Sequence, residues 1–437
     1  MTKERTPPMR PALPADVLAA LKTLEVGGFP ARLNGGSVRD RLRGVEPKDY
    51  DIATTARPEV VSRMFSDIGL QVIPTGIEHG TVTLVTTNGR NIEITTLRRD
   101  VKTDGRHAVV EFGTSFADDA ARRDFTINAM FEDATGNVED FFAGRADLAT
   151  RTLRFVGDPA TRIREDYLRI MRFFRFWARL DFTPDPKTMP AIAANLDGLA
   201  QISQERITSE LLELLAAAHP AKALAAMQSS GVLATILPEL RSGEFTAAAA
   251  KHLEDFETEN SDLRFVRLAL LISATGSTEL RDLRSLTKRL RLSRRDAELT
   301  SQLASAPREL DKTPSTPADA MEFVDRCEEF AGLGSWDELV LPALHALVNA
   351  PAPQLDPQAT QRSRVLAQIA AVESAKSELR RKPLPIVTGD LLRSLSMTPG
   401  PKVGALVTAL TRSMRNGDWS TPEEGLLWAQ KWLADKA

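Results

Sequence analysis

Residues Leu33 to Ile52 read LNGGSVRDRLRGVEPKDYDI, and few folds accommodate them. Two glycines and a serine open a short helix, and a loop then leads into an extended segment carrying Asp49 and Asp51. Side chains two apart in a strand share a face. The two carboxylates therefore stand side by side and repel each other unless a cation lies between them. The Gly35-Gly36-Ser37 helix start offers free N–H groups and the positive end of the helix dipole, both suited to a phosphate. A bare Asp-x-Asp reads as readily as a solvated loop with an Asx turn. Coupled to the preceding GGSVRD, the balance shifts toward Mg²⁺ and a nucleoside triphosphate, held by carboxylates that fix metal ions about 3.5–4 Å apart.

The 437 residues are too many for one ordinary domain, which points to two to four units. Hydrophobic content of 42% and charged content of 26% are those of a globular protein with a real core. The single cysteine, Cys327, excludes an internal disulfide framework and a multi-cysteine zinc site, and it fits a reducing, cytoplasmic setting. None of the five histidines has HxxxH or HExxH spacing. No apolar run approaches the roughly 18–20 residues that span a bilayer, so no membrane partner is expected. The N-terminus, MTKERTPPMRPALP, lacks an apolar h-region and reads as a flexible tail. With a net charge of −3, nucleic-acid binding would have to rest on local basic patches.

The first third reads as mixed α/β and the remainder as helical. Asp16 to Leu24 is a short helical run before Gly27-Gly28. Pro58 to Asp67 combines a proline suited to a first helical turn with the stripe Val60, Val61 and Phe65. TVTLVTT, then Asn88-Gly89, then RNIEITT predicts a hairpin. Ile92 and Ile94 share one face of its second strand, and Glu93 and Thr95 the other, so Glu93 projects beside Asp49 and Asp51 if this hairpin lies next to their strand. Leu97 to Phe112 is charged and poor in apolar residues, which predicts a mobile loop. Ser203 to Ala218 and Ala223 to Leu237 have helical apolar spacing. Pro307 to Pro317 and Arg380 to Pro385 read as joints. There is no repeat of fixed period.

Two further motifs carry chemistry. RRDFTINAM places Arg122, Arg123, Asp124 and Asn128 together where a helix is expected to begin, with Phe125, Ile127 and Met130 buried. Arginines fork onto phosphate oxygens, and Asp124 and Asn128 can bond a ribose hydroxyl; a capped helix with surface arginines is the plain alternative. In REDYLRIMRFFRFWARL, Arg169, Arg172, Arg175 and Arg179 recur at three- and four-residue spacing and share a helix face, while Leu168, Met171 and Phe174 lie on another. An ordinary amphipathic helix would look the same. Asp166 and Arg169, however, stand one turn apart as an acceptor and a fork of donors that could pair with a base edge and so select a nucleotide without a template.

The order GGSVRD, DYD, RRDFTINAM, EDYLR, SQERI resembles the class II tRNA nucleotidyltransferase and bacterial poly(A) polymerase family, from about Leu33 to Glu210 and more loosely onward. The resemblance implies an α+β architecture. A nucleotidyltransferase-type head with a mixed sheet (27–155) would follow a tail and short helix (1–26). An all-α neck (156–220), body (221–310) and tail (311–437) would come after it. It also implies site roles. Asp49 and Asp51 match the metal carboxylates and Glu93 a third acidic position. Gly35, Gly36, Ser37 and Arg39 match the triphosphate turn. Arg122, Arg123, Asp124 and Asn128 match the motif that positions ribose and triphosphate. Glu165, Asp166 and Arg169 match the base-reading motif, with Arg172 following on the same helix. Glu205 and Arg206 match a bracing helix. Tyr167 stands where many relatives have proline. No histidine is followed by aspartate, so the phosphohydrolase domain of some relatives is not expected.

On that resemblance the expected reaction is Mg²⁺-dependent addition of CCA to tRNA from CTP and ATP. The alternatives are poly(A) synthesis and addition of A alone. A non-catalytic RNA-binding protein on the same scaffold and a small-molecule nucleotidyltransferase are more remote. Arg98 to Gly113 looks like the flexible loop with which CCA-adding members switch from C to A, and the slightly acidic chain lacks the basic extensions usual in poly(A) polymerases. For tRNA the densest cationic run is RDLRSLTKRLRLSRRD, with Arg284, Lys288, Arg291 and Arg295 near one helical face. A solvated charged face is the alternative there. Thr388 to Leu410 holds a Gly-Pro turn that approaches a phosphate or caps a helix. His79 reads as structural or capping, and His107 lies in the loop. DNA is not expected as a partner, and no motif fixes an oligomeric state.

Overall fold

The computed structural model describes residues 9–103, 108–112, 115–238, 263–273, 280–312, 392–395, 397–398, 400–415 and 418–435. The N-terminal tail before residue 9, the joint at 380–385, His107 and Cys327 lie outside them. The chain divides into two compact units, Met1–Ile236 and Leu237–Ala437.

The first unit opens with α1 (Ala15–Val26), and β1 (Ala31–Asn34) then runs into α2 (Gly36–Leu42). After β2 (Tyr50–Thr54) and α3 (Pro58–Asp67) come β3 (Gln71–Gly76), β4 (Thr81–Val85) and β5 (Asn91–Thr96). β8 (Met130–Glu132) and β9 (Val138–Asp140) complete a seven-stranded sheet in the order β3-β4-β5-β2-β1-β8-β9. Only β2 and β5 pair in parallel, which makes the sheet mixed. One face buries Leu33, Ile52, Ile92 and Ile94 under Leu21 and Leu24 of α1 and Val61 and Phe65 of α3. The Asn88-Gly89 hairpin forms as predicted, with Gly89 at φ 76°.

Residues 98–103 and 108–112 are not a bare loop. They form a separate two-stranded ribbon of β6 (Arg98–Thr103) and β7 (Ala108–Phe112), with Arg98 opposite Phe112. A backbone ladder needs no apolar stripe, so apolar content alone misjudged the segment. RRDFTINAM likewise begins no α-helix: α4 (Phe116–Ala121) ends just before it, Thr126–Asn128 make one 3₁₀ turn, and β8 follows. The expected burial of Phe125, Ile127 and Met130 holds, each being 0% exposed. His79 ends a short 3₁₀ turn (Ile77–His79) with its imidazole exposed, 4.0 Å from the Glu78 carboxylate, and its carbonyl accepts from Arg98.

Beyond the sheet come α5 (Gly144–Thr150), β10 (Thr152–Leu153) and α6 (Pro159–Glu165), which Asp158 caps by accepting from the Thr161 N–H at 2.8 Å. The segment read as one helix from Arg164 is broken at Asp166-Tyr167, and α7 (Leu168–Leu180) starts anew. After β11 (Thr183–Pro184), α8 (Thr188–Ala193) and a 3₁₀ segment (Leu196–Gln201), α9 (Gln204–Ala216) packs against α7. Ala223 to Leu237 is two helices, α10 (Pro220–Ser229) and α11 (Val232–Ile236), because Gly231 turns left-handed between them at φ 82°.

The described part of the second unit is helical: α12 (Leu263–Ser273), α13 (Leu280–Arg289), α14 (Arg294–Lys312), α15 (Pro401–Arg415) and α16 (Pro422–Asp435). α14 runs through Pro307, so the predicted joint begins inside a helix; residues 313–317 lie outside the described set. Pro401 takes the first position of α15, which is the capping alternative for the Gly-Pro turn. Leu406, Leu410, Trp419 and Ala429 form a core between α15 and α16. No helix among the described residues is long and apolar enough to cross a membrane.

Candidate active site

A cleft of about 620 Å³ in the first unit gathers most of the residues the sequence singled out. Its floor is the end of the sheet. Asp49 precedes β2 in a bend and Asp51 lies within the strand, and both line the cleft. Glu93 stands directly beside Asp51 in the parallel β2–β5 register, on the exposed side of its strand. Burial pushes the Asp51 carboxyl up to about 6. The Glu93 charge adds to this, Arg123 opposes it, and Asp49 adds again. An acidic group so penalised for its charge fits a cation site. Among the described residues no group of three His, Cys, Asp or Glu side chains is arranged to cage a metal. Asp49 and Asp51 could therefore hold a divalent cation only openly, as Mg²⁺ is held when one or two carboxylates share it with water and substrate phosphates.

Gly35, Gly36 and Ser37 form the adjoining rim, where β1 turns into α2. Gly35 is left-handed at φ 65°, and a Cβ there would stand 3.1 Å from an Arg123 guanidinium nitrogen. The turn thus favours glycine, with the Arg123 side chain lying close across it. The Ser37 hydroxyl donates to the Asn34 carbonyl at 2.8 Å and ties the turn to β1.

The opposite wall is cationic. Arg122 and Arg123 both fork onto buried Asp119, which accepts from Arg122 at 2.6 and 2.9 Å and from Arg123 at 2.9 and 3.1 Å. Burial would raise the Asp119 carboxyl, but these two guanidinium groups hold it below its ordinary range. Sequence reading missed Asp119. The signal was there, since it precedes the arginines by three and four residues at the end of a helix.

Arg39 and Asp124 both line the cleft, and each is engaged by protein partners. Arg39 is buried, with its donors on Asp40 at 2.8 and 2.9 Å and on the Asn128 side-chain oxygen at 2.7 Å. Asn128 donates on to Asp124 at 3.2 Å. The other Asp124 oxygen accepts from Arg172 at 2.5 and 2.9 Å, and the Phe125 N–H also donates to the group at 2.8 Å. Burial works against the Asp124 charge, but Arg172 and these hydrogen bonds hold the carboxyl down at about 2. Beyond Arg172, Glu210 of α9 pairs with Arg175 at 2.8 Å, and Arg179 lies 3.5 Å from Asp40. A polar chain therefore joins α2, the RRDFTINAM turn, α7 and α9. Below it, Phe125 packs on Phe155 and Phe176 at centroid distances of 4.9 and 5.2 Å.

Asp166 and Arg169 close the far end of the cleft. Asp166 accepts from Arg206 of α9 at 3.1 Å and from the Leu168 N–H at 3.1 Å. Arg169 donates to Glu165 at 2.6 Å, to the Arg162 carbonyl at 2.7 Å and to the Arg122 carbonyl at 3.3 Å. Arg169 is thus tied to Arg122 through that residue's backbone carbonyl. Lys48 and Arg98 also line the cleft, and the sequence reading gave neither of them a role of its own. Arg284, Lys288, Arg291 and Arg295 belong to the second unit. They do not share one helix face: α13 ends at Arg289, Arg291 turns left-handed at φ 53°, and Arg295 sits in the first turn of α14.

Chemically, the cleft sets two carboxylates beside the glycine turn at the start of α2 and a set of arginines. Residues 31–154 match a family model described as the poly A polymerase head domain, and 181–243 match one described as a probable RNA and SrmB-binding site of polymerase A. The CCA tRNA nucleotidyltransferase 1, mitochondrial, of Danio rerio is 33% identical over 411 residues, covering 91% of this chain and 86% of its own. The CCA-adding enzyme of Levilactobacillus brevis is 32% identical over 421 residues, covering 94% and 95%. The chain belongs to the CCA-adding tRNA nucleotidyltransferase family. The fold agrees: the crystal structure of the Bacillus stearothermophilus CCA-adding enzyme in complex with CTP matches at a TM-score of 0.71 and 28% identity, over 96% of this chain and 98% of that one. Tyr167 lies in the break between α6 and α7, next to Asp166 and Leu168 of the cleft lining.

Proposed function

We propose that this enzyme rebuilds the 3′-terminal CCA of tRNA without a template, from CTP and ATP, with release of pyrophosphate. The observation that carries the reading is the single cleft holding Asp49, Asp51, the Gly35–Ser37 turn, the Asp119-bound arginines and Asp166. The tRNA 3′-oxygen attacks the α-phosphorus of the bound nucleotide, a new P–O ester bond forms, and the bond to the β-phosphate bridging oxygen breaks. Mg²⁺, held by Asp49 and Asp51, would supply the Lewis acidity that lowers the hydroxyl pKa and the charge that offsets the departing pyrophosphate. Arg122 and Arg123, prearranged by Asp119, take the triphosphate charge and hold it in line. Arg39, Asn128, Asp124 and Arg172 keep the turn and α7 at fixed separation. Asp166 and Arg169 read the base edge, and Glu93 tunes Asp51 through its charge. The single cysteine supports a cytoplasmic setting.

Extension of a tRNA transcript lacking CCA, with Mg²⁺ and each nucleotide alone and together, tests this. Addition of three nucleotides with CTP plus ATP, and no more, is expected. A ladder with ATP alone would make it a poly(A) polymerase. A single A on a CC-ended tRNA would make it A-adding, and no extension would overturn the catalytic reading.

For the tRNA body, the reading rests on the exposed cations of the α13–turn–α14 segment. Substituting Arg284 and Lys288 with alanine together is expected to weaken tRNA binding and to reduce the slope of log K against log salt by about 1.5 to 2. Turnover at saturating tRNA should hold. An unchanged slope would remove these residues from the interface.

A further inference from the structure

The break between α6 and α7 is two residues long. Asp166 is extended at φ −154°, ψ 106°, and Tyr167 follows at φ −63°, ψ −18°. The Tyr167 ring lies on the backbone of Gly198. A Cβ built on that glycine would stand 1.9 Å from Cδ1, 2.1 Å from Cε1 and 2.3 Å from Cγ of the ring. Gly198 is buried within the 3₁₀ segment, and its φ is not in the left-handed region. A larger residue would suffer no backbone strain there, so what glycine supplies is room for the ring. The same segment leads directly into α9, where Arg206 donates to Asp166 at 3.1 Å. The stretch from 198 to 206 therefore grips Asp166-Tyr167 twice, once by the ring and once by the carboxylate.

We propose that Tyr167 is a positioning residue: its ring, seated on Gly198, fixes where Asp166 stands at the cleft wall and so sets nucleotide selection. This rests on the reading of Asp166 as a base-reading group. An ordinary packing contact would make Gly198→Ala cost stability without changing which nucleotide is added.

The test compares kcat/KM for CTP and for UTP on tRNA lacking CCA, together with thermal melting, in the full-length chain. The variants are Gly198→Ala, Tyr167→Ala, Tyr167→Phe, the double alanine variant and Asp166→Ala. Gly198→Ala is expected to displace the ring and lower the CTP-to-UTP ratio about tenfold or more, the scale of a displacement near 1 Å. Tyr167→Phe keeps the ring carbons and is expected to keep the wild-type ratio. Tyr167→Ala alone should lower it, whereas in the double variant the methyl introduced by Gly198→Ala partly fills the vacated seat. Its loss should then be smaller than the product of the single losses, the mark of direct coupling. Independent losses, or melting shifts with an unchanged ratio, would overturn the proposal. If Gly198→Ala does not fold, an unchanged ratio in Tyr167→Ala overturns it alone. Asp166→Ala separates the two readings. If that variant keeps its discrimination, base reading by Asp166 fails; if it loses discrimination while Gly198→Ala and Tyr167→Ala do not, only the seat fails.

Discussion

Asp51→Asn is expected to lower nucleotide incorporation by roughly 10³-fold or more, about 4 kcal/mol of transition-state stabilisation, while making the cation-free protein more stable at neutral pH. Both follow from the same electrostatics. Burial, then Glu93 and Asp49, raise the Asp51 carboxyl to about 6 from an ordinary value of 3.8. A folded-state value above the unfolded one gives a contribution fully present below about pH 4 and lost as pH rises through about 6. At pH 7.5 the ionised carboxylate therefore opposes folding, by an amount on the order of 3 kcal/mol at most. Asparagine keeps the shape and removes the charge. In EDTA, the variant should melt a few degrees above wild type at pH 7.5, and the gain should shrink as pH falls toward 4.5. A melting temperature below wild type at pH 7.5 would refute the view of Asp51 as a charge awaiting a cation, and retained transfer in Mg²⁺ would refute its catalytic role.

Asp124→Ala should have the opposite signature, unfolding the protein more easily and impairing CTP and ATP addition alike. Its carboxylate is buried and accepts from Arg172, Asn128 and the Phe125 N–H. Removing it leaves Arg172 with only the 3.9 Å approach of Glu210, and breaking a buried pair in this way costs about 3–5 kcal/mol. Here the folded-state value, about 2, lies below the ordinary 3.8. The stabilisation is therefore present above about pH 4 and lost as pH falls through about 2. Denaturant unfolding at pH 7 should show the full deficit, and acid titration should show it narrowing below pH 4. Because Asp124 joins the RRDFTINAM turn to α7, its loss should raise KM for both nucleotides by similar factors and leave their ratio unchanged. A changed CTP-to-ATP preference would instead place Asp124 in base selection.

The contrast between these two aspartates marks what could be read from the chain. Both were visible as motif members, but RRDFTINAM suggested a ribose contact for Asp124, and only packing shows its oxygens engaged by Arg172 and Asn128. Likewise only packing shows Arg39, which lines the cleft, engaged by Asp40 and Asn128. Asp119 was overlooked because a carboxylate on a helix end looks like a cap until the arginines turn back onto it. The errors in element boundaries share one cause. Gly231, Arg291 and the Asp166-Tyr167 break interrupt stretches whose apolar spacing is continuous, and periodicity reports a buried face without reporting where the backbone changes direction. The ribbon at 98–103 and 108–112 was missed because strand pairing satisfies backbone groups whatever the side chains are.

By itself the sequence determined the chemistry and the class of fold. Residue types at fixed spacing, Gly-Gly-Ser before Asp-x-Asp and arginines every three or four residues, are local properties that survive without coordinates. The Asn-Gly hairpin was equally local, since its turn fixes the β4–β5 register, whereas the parallel β2–β5 pairing that sets Glu93 beside Asp51 is tertiary. Only the tertiary structure decided which charges are spent on one another and which face the cleft. That outcome depends on contacts between residues far apart in the chain, such as Arg39 with Asn128, Arg172 with Asp124 and Tyr167 with Gly198. Each is set by how helices pack on the sheet and on one another, and burial then decides whether a charge is stabilised by a partner, as at Asp124, or penalised, as at Asp51.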